Sequence, residues 1–155
     1  MSTQSLSEAR REQTQSRTAK WGWGILIAIS ALLILNGAGW FFMGPSLAFF
    51  ELDTGVSLAE FRQAYPTVAR NMATNARQVA IWFLAFGALA LLVALEGYRH
   101  NSRWAWTAAW VLVAAPAAVG INVLAGGEGA FGFGILAVAA VALVGQLLAR
   151  QGLGS

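Results

Sequence analysis

Four runs of apolar residues, at about 21–43, 78–98, 104–125 and 130–149, constrain this chain more than any other feature. Each is close to the roughly 20 residues an α-helix needs to cross the hydrocarbon core of a bilayer. Backbone N–H and C=O groups find no water there, so a spanning segment must bond them internally, and a helix does so. The sequence therefore predicts an all-α fold: an integral membrane four-helix bundle with a short extracytoplasmic helical loop between spans 1 and 2. Composition supports this only because the apolar residues are clustered. Of 155 residues, 57% are hydrophobic and 11% charged, against about 25% charged in a soluble domain.

Residues 1–20 are mostly Ser, Thr, Gln, Glu and Arg. They have little apolar surface to offset the entropy of ordering, and are expected to form a flexible cytoplasmic tail, disordered or loosely helical. A basic segment before an apolar run can also be a secretory leader. This run exceeds the about 7–15 apolar residues of a leader, so it is expected to remain as the first span.

Residues 44–77 form the one sizeable connection. Gly44-Pro45 is expected to end the first helix, because proline has no N–H to donate. Asp53-Thr54-Gly55 reads as a turn. Ser57 stands three residues before Glu60, the capping-box spacing, which predicts a short helix over about 57–64. Pro66 suits the first turn of the next helix. That helix is expected to run through Arg77 into the second span, with a break near Asn75 as the alternative. Phe49, Phe50 and Leu52 are expected to dip into the headgroup layer or pack on the bundle.

The connection 99–103 is short, so spans 2 and 3 are expected to be antiparallel neighbours. Pro116, inside span 3, is expected to bend it. Gly126-Gly127-Glu128-Gly129 predicts a tight turn held in water by its acid. Residues 151–155 form a short tail. Arg10, Arg11, Arg17, Lys20, Arg99, Arg103 and Arg150 fall on one side of a four-span arrangement. Arg62, Arg70 and Arg77 fall on the other, together with Glu51, Asp53, Glu60 and Glu128. The positive-inside rule then puts both termini in the cytoplasm and the protein in the cytoplasmic (inner) membrane. Trp21, Trp23, Trp40, Tyr98 and Trp104 are placed at the headgroup zone by the same reading.

Ionisable residues within spans are costly and usually functional. Glu96 is the one acid within a span, near its cytoplasmic end, with Arg99 and His100 on the same helix face at i+3 and i+4. It is either a proton or cation site or an interfacial pair with Arg99 or Arg103. His100 is the sole histidine and there is no cysteine. Paired histidine ligands, thiolate sites and a cysteine nucleophile are thereby excluded, and no cofactor or metal is implied. Asn36 and Asn122 lie in the outer half of the bilayer. They are expected to join helices by hydrogen bonds, or to face a polar ligand. Ser30, Thr107 and Gln146 take the same joining role. Small residues recur four apart at Ala90/Ala94, Ala105/Ala109, Ala114/Ala118, Ala130/Gly134 and Gly145/Ala149, which predicts close helix approach. Ala90, Ala94, Ala105 and Ala109 are the leading packing face. Gly132 and Gly134 follow no strand and carry no third glycine, so a dinucleotide fingerprint is rejected, and no Walker A, HExxH or Gly-x-Ser-x-Gly sequence occurs.

No acid–base pair, nucleophile or metal set can be assembled, so the chain is expected not to be an enzyme. Its basic residues sit at membrane edges, which argues against a nucleic-acid partner despite a pI near 10.2. The expected partners are the bilayer itself and other membrane subunits or copies of this chain. The leading expectation is a non-catalytic subunit or partner-binding protein that stabilises a larger membrane complex, for example an electron-transfer or photosynthetic one. The alternative is a small homo-oligomeric transporter or channel for a neutral or lipophilic solute, which needs little polar lining.

Overall fold

The computed structural model describes residues 3–44, 55–127 and 129–153, with side-chain surroundings from Arg17 onward. Pro45, Phe49, Phe50, Glu51, Leu52, Asp53, Thr54 and Glu128, to which the sequence assigned roles, lie outside the described residues. The elements are α1 (Thr3–Met43), α2 (Leu58–Ala64), α3 (Pro66–His100), α4 (Arg103–Ala109), α5 (Val111–Ala125) and α6 (Gly129–Arg150). The described residues contain no strand. Among the described residues, four stretches are long and apolar enough to cross a membrane: Arg17–Met43, Pro66–His100, Arg103–Ala125 and Gly129–Arg150. The protein is thus an all-α, multi-pass membrane protein with four spanning helices.

α1 starts at Thr3, so residues 3–20 are helical and continuous with the first span. An existing apolar helix removes the nucleation cost, and each added residue gains a hydrogen bond. α3 is one helix of 35 residues, about 52 Å at 1.5 Å per residue, without a break at Asn75. The capping box before α2 is formed. Ser57 Oγ accepts from Glu60 N–H at 3.2 Å, and Glu60 Oε2 accepts from Ser57 N–H at 3.1 Å.

The chain divides into two compact units, residues 1–31 with 89–155, and residues 32–88. In the first unit the core is built from small residues and a few larger anchors, among them Leu26 and Ile29. Ala90, Ala94, Ala105, Ala109, Ala139, Ala142 and Ala149 are buried, as are Trp23 and Leu112. Lipid tails are as apolar as leucine, so helix association in a membrane rests on close packing rather than on escape from water. The glycines mark where backbones meet. A Cβ at Gly120 would lie 3.2 Å from Gly132 O, and one at Gly132 3.1 Å from Gly120 O, so α5 and α6 touch glycine to glycine. Gly22 of α1 lies against Ala149 N and Gly145 O of α6 in the same way. In the second unit, a Cβ at Gly37 of α1 would stand 2.9 Å from Leu84 N, and one at Gly87 of α3 would stand 3.0 Å from Ile34 N.

Two turns close the helix ends of the first unit. Asn101 takes φ +46° and donates its N–H to Gly97 O at 2.8 Å, ending α3 in the left-handed cap that asparagine tolerates. Gly127, at φ +92°, provides the turn after α5.

The third span is not one regular helix. It breaks at Trp110, between α4 and α5, and not at Pro116, which lies within α5. The cause is a side chain inserted into the helical ladder. Trp106 O, which Trp110 N–H would take in an α-helix, accepts instead from Gln146 Nε2 of α6. Trp110 N–H turns back to Thr107 O at 3.3 Å, a tighter i−3 bond.

Candidate functional site

The Gln146–Trp106 exchange is the most deeply built polar feature of the first unit. Gln146 is fully buried. Its Nε2 donates to Trp106 O, and Trp106 Nε1–H donates to Gln146 O at 2.9 Å. The Trp106 ring meets Trp110 edge to face at 5.8 Å. Gln146 Oε1 has no hydrogen-bond partner. In an apolar interior, the two satisfied bonds fix the register of α4 on α6. The sequence assigned Gln146 and Thr107 one generic joining role, and none to Trp106. Nothing in one sequence pairs residues 40 apart.

A second node lies at one end of this unit. Trp23 is fully buried, with its indole edge where a Gly97 Cβ would stand, and its Nε1–H donates to Asn101 Oδ1 at 3.3 Å. This corrects its expected role as a headgroup anchor. Trp21, by contrast, is 74% exposed, and Trp104 and Tyr98 are exposed too. The difference is azimuth: two residues along a helix turn about 200°, so Trp21 and Trp23 face opposite ways.

Glu96 Oε1 lies 3.2 Å from His100 Nδ1, both side chains being partly exposed. The pair is local to the last turn of α3, where it completes the i, i+4 spacing. The resolved partner is thus His100 rather than the Arg99 or Arg103 expected from sequence. Ser30 Oγ–H donates to Leu26 O at 2.8 Å, and Thr107 Oγ1–H to Arg103 O at 3.0 Å. Among the described residues, both hydroxyls bond within their own helix and join nothing across.

Asn36 and Asn122 are exposed on their helices, Asn36 in the second unit and Asn122 in the first. Neither side chain makes a hydrogen bond among the described residues, so the joining role expected of them is not exercised there. Ala90, Ala94, Ala105 and Ala109 are spent inside the first unit, as are Gly145 and Ala149. Ala114, Ala118, Ala130 and Gly134 are exposed. On α5, Ala114, Ala118 and Asn122 follow one another at i, i+4 and i+8, forming an outward stripe of two small residues and one amide. Among the described residues, no group of three or more His, Asp or Glu side chains comes together. Compared with known proteins, the chain matches no family model, no curated protein and no solved structure.

Proposed function

We propose that this chain is a non-catalytic membrane subunit, which docks through α5 on a partner and stabilises a larger membrane complex. The observation that carries the reading is the exposed stripe Ala114, Ala118 and Asn122, whose amide has no side-chain partner among the described residues. Small residues let a second helix backbone come close, and an amide on that face then finds a partner worth about 0.6–2 kcal/mol. An amide left toward hydrocarbon has no such compensation. Asn36 adds a second exposed amide on α1. The membrane is the cytoplasmic one with both termini inside, in keeping with the basic residues at the ends of the spans.

The test is native mass determination after extraction in mild detergent, with co-purifying chains identified. A stoichiometric partner lost in Ala118→Leu/Asn122→Leu supports the reading. A monomer without partners refutes it, and a homo-oligomer around a path redirects it to a transporter. Orientation is checked separately. The chain has no cysteine, so Ser57→Cys and Ser102→Cys each give one thiol. An impermeant maleimide added outside intact cells should label Ser57→Cys alone.

A further inference from the structure

We propose that the end of the first unit formed by the stretch of α1 around Ala19, the α3–α4 turn and the end of α6 is a binding site for the headgroups of anionic phospholipids. Three chain segments meet there. A Cβ at Gly152 would lie 2.6 Å from Ala19 Cβ and 2.9 Å from Asn101 Oδ1, and Asn101 also accepts from Trp23. The basic residues flank these meeting points in sequence: Arg17 and Lys20 beside Ala19, Arg99 and Arg103 on either side of Asn101, and Arg150 two before Gly152. All five are exposed. Glu96 is the one acid among the described side chains at this end, and it is engaged by His100. Among the described side chains, five exposed cations thus flank one acid at this end.

Exposed aromatic rings stand in the same segments: Trp21 next to Lys20, Tyr98 next to Arg99 and Trp104 next to Arg103. Such rings sit at headgroup depth, with the apolar spans starting beside them. A ligand that fits both features has an anionic phosphate head and acyl chains. Clustered cations at a membrane edge attract such lipids. Free phosphate satisfies only the first feature.

The test uses the full chain in a zwitterionic detergent, with native mass spectrometry counting retained lipid. Wild-type protein should retain phosphatidylglycerol at concentrations where phosphatidylcholine is lost. Lys20→Gln/Arg99→Gln/Arg150→Gln should weaken that retention about 100-fold, from roughly five-fold per cation. Lys20→Arg should retain lipid as wild type does. Arg62→Gln/Arg70→Gln/Arg77→Gln removes the same charge from the second unit and should leave retention unchanged. Equal retention of phosphatidylcholine, or an equal loss in both triple variants, would overturn the proposal. Displacement of the lipid by an equal concentration of inorganic phosphate would overturn the assignment to lipid.

Discussion

Replacing Gly97 by alanine should destabilise the first unit, and the structure sets the size of the effect. The new Cβ would fall 2.5 Å from Trp23 Cζ2 and nearer still to Cη2 and Cζ3. Ordinary carbon–carbon contact is about 3.5–4 Å, so the ring must withdraw by about 1 Å. The three atoms share one rigid ring, which moves as a whole. Trp23 is fully buried, and forcing such a ring into filled space costs about 1–3 kcal/mol. The same shift takes the Trp23–Asn101 hydrogen bond, already at 3.3 Å, out of range, a further loss of about 1 kcal/mol. Alanine's better helix propensity offsets at most about 1 kcal/mol. The net expectation is a loss of about 2 kcal/mol. The assay is unfolding in mixed micelles by rising dodecyl sulfate fraction, followed by far-ultraviolet circular dichroism. Trp23→Phe deletes the clashing part of the indole, so combining it with Gly97→Ala should recover about 1–2 kcal/mol relative to the sum of the single changes. Wild-type stability of Gly97→Ala, or strict additivity in the double variant, would refute the reasoning.

Gly145→Leu should prevent folding of the first unit, because Ile25 Cγ2 and Gly22 O stand 2.9 and 3.2 Å from its Cβ position, whereas Gly24→Leu, with nothing within 4 Å, should be tolerated. Size-exclusion profiles in detergent distinguish them, and equal profiles would count against the packing. Trp106→Phe removes the N–H donated to Gln146 O and should cost about 1 kcal/mol in the same unfolding assay; an unchanged midpoint would dissolve the proposed register lock. Ser57→Ala removes the hydroxyl that caps α2 and should cost that helix about 1 kcal/mol. Faster amide exchange over residues 58–61, with spans unaffected, is the expected readout, and unchanged exchange would show that the cap carries no stability.

The spans were legible from the sequence because hydrocarbon thickness and backbone satisfaction leave few choices of length and structure. The capping box was legible because its two partners are three residues apart. The break at Trp110 was not, since it depends on a glutamine 36 residues later reaching the carbonyl of Trp106. Proline drew attention to position 116, which lies inside α5, while the carbonyl captured by Gln146 Nε2 removes a bond the helix would otherwise make at Trp110. The Glu96 pair was legible to within one turn: spacing placed Arg99 and His100 on its face, and geometry resolved His100.

What one sequence states is depth; what decides the fate of a polar residue is azimuth. Gln146 and Asn122 are both uncharged polar residues in apolar helices, and the sequence offered no ground for separating them. The glycine contacts separate them. Gly120 is held against Gly132, which fixes the inward direction of α5. At about 100° per residue, Asn122 and Ala118, two positions to either side, stand about 160–200° from that contact and must face outward. On α6, Gly145 is held against Gly22 and Ile25, and Gln146, about 100° further round, turns toward α4 and Trp106. The same logic holds on α1, where Gly37 packs on Leu84 and Gly39, about 200° away, has nothing within 4 Å. A glycine contact thus determines which amides become internal locks and which are left for a partner. Moving the contact, rather than mutating the amide, would exchange those roles.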